Sequence, residues 1–139
     1  MKKILSILLA VVLVLGGGGY LLATAADAST PGDPLFTVDL LAEEVQRAVT
    51  TDDLALAELE QDILEERVAE IDEIVELGVD EYVVDDAVKQ LEKQRERTQE
   101  RVLTLTSDTN NYDEAKKAEV TSRFEKVVQE QVQKMEEVQ

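Results

Sequence analysis

The stretch LALAELEQDILEERVAEIDEIVELGVDEYVVDDAVKQLEKQRERTQERVLTL, residues 54–105, reads as one helical hairpin folded at Gly78. Its apolar residues step by three and four on both sides of the glycine. Ala57, Leu64, Val68, Ile71 and Val75 precede it, and Val84, Val88, Leu91, Val102 and Leu105 follow. That spacing gives each helix an apolar seam on one face, as antiparallel packing requires. With the turn at Gly78–Val79, Val75 faces Val84, Ile71 faces Val88 and Val68 faces Leu91. Ala57 faces Val102 and Leu54 faces Leu105 in the same register. Leu64 then lies opposite Arg95, and Gln61 opposite Thr98. The hairpin is expected to have apolar ends and a polar waist made of Gln61, Asp62, Glu65, Arg95 and Thr98. This waist is the candidate site. It is either a small binding or switch site, or a polar layer that fixes register with Arg95 reaching to acids or stacking on Phe124.

Two helices bury too little apolar surface to offset the entropy of ordering their backbone, so flanking helices are expected to pack on them. Helix one is expected from Pro34 to about Val49, with Val38, Leu41, Val45 and Ala48 on one face. Asp33 would accept the free amide hydrogen bonds of its first turn, and Pro34 suits the first helical position. Thr50–Asp53 breaks the helix and caps the next, which would bring Leu41 and Val45 towards Leu59 and Ile63. The hairpin helices run from Leu54 to Leu77 and from about Asp80 to Thr106, with Gly78 as a left-handed stop. Helix four, from Tyr112 or Asp113 to Val138, carries Val120, Phe124, Val127, Val128, Val132, Met135 and Val138 on its apolar face. No strand-like alternation occurs. The fold class expected is all-α, an antiparallel three- or four-helix bundle built on the hairpin.

The chain has 139 residues, no cysteine and no histidine, and a formal charge of -17. Thiol nucleophiles, disulfides, Cys/His zinc sites and Ser–His–Asp catalysis are excluded by composition alone. The acidic charge repels a phosphate backbone, so nucleic acid is not an expected partner. Charge also suits the hairpin, because helix two is rich in acids from Glu58 to Glu76. Residues 89–101 of helix three carry Lys89, Lys93, Arg95, Arg97 and Arg101.

Residues 1–28 read as a signal peptide or an uncleaved signal anchor. Lys2 and Lys3 precede an uncharged stretch from Ile4 to Ala26, which orients the following chain outward. Ala26-Asp27-Ala28 would permit cleavage before Ser29; left uncut, the stretch is long enough to cross a bilayer of ~30 Å. Either way residues 29–139 form an extracytoplasmic acidic helical domain, secreted or tied to the membrane only through residues 4–26.

Pro31-Gly32-Asp33-Pro34-Leu35-Phe36, set after an apolar segment and leading into an amphipathic helix, resembles the opening of a bacterial family, domain of unknown function 5667. The acidic continuation Leu54-Ala55-Leu56-Ala57-Glu58-Leu59, with Glu65-Glu66-Arg67 and Gly78, is similar in style. Phe36 stands where the family usually has tyrosine, and Asp39 where it usually has lysine, so no role of that lysine carries over. The resemblance covers roughly residues 31–105. It implies an extracytoplasmic helical module and transfers no catalytic residue.

No catalytic, cofactor or metal site is expected. Asp108–Asp113 faintly resembles a calcium loop, but it lacks the glycine at the sixth position and has Tyr112 at the fifth. The acid pairs Glu43-Glu44, Glu65-Glu66, Asp72-Glu73 and Asp85-Asp86 fall on solvated faces with nothing to shift their pKa values. The expected function is that of a non-enzymatic extracytoplasmic interaction module, binding a protein partner or a second copy of itself. The alternative is an acidic, low-affinity cation-binding protein of the cell envelope.

Overall fold

A computed structural model describes residues 36–107 and 112–138. They form four helices: α1 (Phe36–Val49), α2 (Asp53–Leu77), α3 (Glu81–Ser107) and α4 (Glu114–Val138). No strand occurs among the described residues, and none of the described helices is long and apolar enough to cross a membrane. The expected signal or anchor stretch, residues 1–28, lies outside the described residues. So do Asp33, Pro34 and most of the Pro31–Phe36 opening, and the Asp108–Asn111 part of the loop before α4.

The chain divides into two compact units, Met1–Glu44 and Val45–Gln139, and α1 runs across the division. The described part of the first unit buries Phe36, Asp39 and Glu43. Val38 and Leu41, expected on the inner face, are exposed instead. The buried residues recur at three- and four-residue steps that lead to Arg47 in the last turn, so they share its side of the helix. The buried face of α1 is thus the one that ends at Arg47, whose partners are described below.

In the second unit α2, α3 and α4 pack pairwise as an antiparallel three-helix bundle, with α2 touching both of the others. Two apolar clusters fill it. Leu64, Val68, Ile71 and Ile74 of α2 meet Ala87 and Leu91 of α3 and Val127 of α4 towards the hairpin turn. Ala57, Val102, Leu105 and Val120 form the second cluster at the other end. Phe124 packs against both.

At the starts of α2, α3 and α4 a side chain or carbonyl meets the free amides of the first turn. Asp52 precedes α2 with extended backbone, and its Oδ1 accepts the Ala55 amide at 2.9 Å. The carbonyl of Asp80 accepts the Val83 amide at 2.9 Å. Asp113 Oδ1 accepts the Ala115 amide at 3.3 Å at the start of α4.

Gly78 ends α2 at φ +61° and ψ 44°. Its amide donates to the Val75 carbonyl at 3.2 Å, and the Val79 amide donates to Ile74 at 3.4 Å. In this paired closure the residue after the glycine packs on the residue whose carbonyl it meets. Val79 and Ile74 accordingly share one cluster. This corrects the expected seam: Ile74 is fully buried while Val75 is 45 % exposed. The turn selects the inner residue, and two adjacent helical residues 100° apart cannot both face α3.

The space around Gly78 is open, with nothing within 4 Å of an added Cβ. Replacement by alanine therefore costs only the left-handed backbone penalty, about 1 kcal/mol. Equilibrium urea unfolding of Gly78→Ala should show that loss, and Gly78→Asn a smaller one.

Candidate functional site

Between the two apolar clusters the chain presents polar side chains to the interior: Glu60 and Gln61 from α2, and Gln94 and Thr98 from α3, all buried. Leu91, Gln94, Thr98, Val102 and Leu105 step by three and four, so the helical period itself carries Gln94 and Thr98 inward. Ala57, Glu60 and Leu64 do the same on α2.

Glu60 is the centre of the layer, with 3 % of its surface exposed. Arg47 Nε donates to both of its carboxylate oxygens at 3.1 Å. Arg47 Nη2 donates to Gln94 Oε1 at 2.9 Å. Gln94 Nε2 donates in turn to Glu60 Oε2 and to the Glu60 carbonyl, both at 2.8 Å. The Thr98 hydroxyl lies 2.9 Å from the Glu60 carbonyl and 2.9 Å from the Gln94 carbonyl, with one proton to share between them. Three helices thus contribute to one connected network.

Gln61 points elsewhere in the layer. Its Nε2 donates to the Val120 carbonyl of α4 at 2.6 Å, while its Oε1 is buried without a hydrogen-bond partner. Asp62 and Glu65 lie outside on the α4 side. Arg123 donates from Nη2 to Asp62 at 2.6 Å and from Nε to Glu65 at 2.8 Å. The bond to Glu65, and then that to Asp62, push the pKa of Arg123 further up against the lowering effect of burial. All three groups keep contact with solvent, so the triad is worth ~0–1 kcal/mol. Arg95 is half-buried, and its Nε is buried without a hydrogen-bond partner.

The five residues read from the sequence therefore separate. Gln61 and Thr98 enter the layer, Asp62 and Glu65 form an outer ion triad, and Arg95 belongs to neither. Glu60, Gln94 and Arg47 are the members that pairing Gln61 with Thr98 and Leu64 with Arg95 misses. The signal for Gln94 was present as the three-residue step from Leu91. Nothing in the spacing marks Arg47, which comes from outside the hairpin. The acids of α2 also find cations on α4: Lys134 lies 2.9 Å from Asp72.

A second polar contact closes the far end of the bundle. The Tyr112 hydroxyl donates to Asp52 Oδ2 at 3.0 Å, tying the start of α4 to the cap of α2. The Ala55 amide and then the Tyr112 hydroxyl hold the Asp52 carboxyl below its usual value. Partial burial, and then the bond to Asp52, push the Tyr112 phenol up. The carboxylate's contribution is in place above the unfolded aspartate pKa and fades as pH falls through its lowered folded value. The phenol's contribution is in place below the unfolded tyrosine pKa, about 10, and is lost as pH rises through the raised folded value.

Arg47, Glu60, Gln94 and Thr98 bind one another, and among the described residues no three carboxylates converge to hold a metal ion. A shallow groove of about 360 Å³ lies between the end of α3 and the start of α4, and Lys117 there is taken up by Glu114 at 3.0 Å.

The family described as Domain of unknown function (DUF5667) matches residues 28–139. No curated protein matches the chain, and no solved structure does.

Two measurements follow from this geometry. Glu60→Leu removes the buried carboxylate that Arg47 Nε and Gln94 Nε2 share and should cost about 3 kcal/mol in urea unfolding. Adding Arg47→Met to it should restore part of that loss, and fully additive losses would deny the coupling. Asp52→Asn keeps a competent cap but removes the charge facing Tyr112. With Tyr20 and Tyr82 replaced by phenylalanine, the alkaline absorbance titration should move to lower pH.

Proposed function

The chain belongs to the domain of unknown function 5667 family, and from that premise we propose that it is a non-enzymatic, extracytoplasmic interaction module that binds a protein partner or a second copy of itself. One observation carries the reading. The bundle uses its buried polar groups to hold itself together, yet leaves large apolar side chains outside: Val75, Leu77, Tyr82, Leu103 and Val132. Such side chains contribute little to the fold from where they stand and are the natural anchors of a contact with another helix.

The outward location rests on Lys2 and Lys3 ahead of the uncharged stretch Ile4–Ala26. Low-affinity cation binding draws on the net charge of -17 alone. The interaction reading is preferred because, among the described residues, no three carboxylates converge closely enough to hold a metal ion.

The absence of cysteine makes both parts testable with single substitutions in the full chain. Leu103→Cys should react with a membrane-impermeant maleimide on intact cells; reaction only after lysis would refute the location. Leu77→Cys, Leu103→Cys and Val132→Cys, each carrying a photoreactive maleimide, should yield a protein adduct from at least one site. Exposed Gln99→Cys serves as the polar control. No adduct from any of the three apolar sites would sink the interaction reading.

A further inference from the structure

The two helix ends that meet at Gly78 combine a dense run of acids with exposed apolar side chains on both sides of the turn. From Val68 to Val88 the sequence has eight acids and no base. Within that stretch Val75 is 45 %, Leu77 64 % and Tyr82 69 % exposed. Glu73, Glu76, Asp80, Glu81, Asp85 and Asp86 are exposed around them.

Part of this charge has a reason within the fold. Asp80 and Glu81 stand at the N-terminus of α3, where the helix dipole favours acids. Asp72 pairs with Lys134 of α4. Glu73 and Glu76 have the opposite situation. They lie in the last turns of α2, at the negative end of its dipole, and that last turn contains no base. Like charge at a helix C-terminus destabilises the helix, so these acids work against the element that carries them. The exposed apolar trio likewise forgoes burial.

We propose that the hairpin tip around Gly78 is a docking surface for a cationic amphipathic helix of another protein, which deepens the interaction reading above and rests on it. Leu77 and Tyr82, on either side of the Gly78 turn, meet the apolar stripe of that helix. Its lysines and arginines neutralise Glu73, Glu76, Asp85 and Asp86 and complete the C-terminus of α2. The complementarity selects against other occupants. A second copy brings its own acidic tip and is repelled, a nucleic acid or anionic lipid surface is repelled for the same reason, and a bare cation leaves the apolar side chains in water.

The test uses the full chain and a synthetic helical peptide with lysine on one face and leucine on the other, alongside a scrambled peptide of the same composition. The ordered peptide should bind more tightly, and more weakly as salt rises. Leu77→Ser with Tyr82→Ser should weaken it about tenfold, as should Glu73→Gln with Glu76→Gln. Leu103→Ser, and Glu125→Gln with Glu136→Gln, should leave it nearly unchanged. All of these residues are exposed, so no variant should lower the melting temperature, and Glu73→Gln with Glu76→Gln should raise it slightly. Equal binding of the scrambled peptide, or equal weakening by the α3 and α4 controls, overturns the proposal in favour of a general acidic field. Photo-adducts in cells separate its failure from that of the wider reading. An adduct from Leu77→Cys whose captured segment is basic and amphipathic supports the tip. Adducts only from Leu103→Cys or Val132→Cys, or a tip adduct to a second copy, overturn it while the interaction module stands.

Discussion

A carboxylate taken out of water must find its partners inside the protein, and Glu60 is the group around which the bundle arranges them. Its two oxygens receive Arg47 and Gln94, and its backbone carbonyl lies within reach of Gln94 and Thr98. Sliding α2 one residue along α3 would leave valine against leucine at the apolar ends, with little penalty. The same slip would strip Glu60 and Gln94 of their acceptors and donors. The layer therefore selects a register that apolar packing alone would leave open, in the manner of a buried polar position in a coiled coil. Whether it also adds net stability is a separate matter, since a well-packed apolar substitute is often as stable.

Packing divides around this layer. Leu64, Ile71 and Leu91 serve the cluster beside the turn, and Ala57, Val102 and Leu105 the one beyond. Phe124 touches both and covers the interruption from the α4 side, where Gln61 also reaches the Val120 carbonyl. Thus α2 meets both α3 and α4 through apolar contacts at two levels and a polar contact between them. The Tyr112–Asp52 bond fixes the α4 connection at one end, and the Gly78 closure fixes the hairpin at the other.

Helix positions and the bundle were legible because they depend on local signals: the three-four apolar step, Asp before α2, Gly78 after it. The interior of the waist was harder to read. A fixed pairing register treats each helix as though one residue per turn faces inward. α2 touches both α3 and α4, so it buries a wide arc that includes Glu60, Gln61, Ile63 and Arg67. The errors at Val75 and Arg95 are the same slip of one position, corrected by Ile74 and Gln94, which sit further round the same face. Arg47 lay beyond any reading of the hairpin, because its contact with Glu60 is a tertiary one. On α1 the apolar spacing pointed to Val38 and Leu41, whereas the buried side chains there are Phe36, Asp39 and Glu43.

The length of α2 gives the hairpin a reach. Its 25 residues, at 1.5 Å each, carry the Gly78 turn about 37 Å from Asp52. Asp52 is also where the chain arrives from α1. The turn therefore stands at a distance set by a rigid rod instead of by a flexible tether. Shortening α2 and α3 together by whole turns would draw the turn inward in steps of about 5.4 Å. The distance between the chain's point of entry and its most acidic end is in this sense written in helix length, like the throw of a lever.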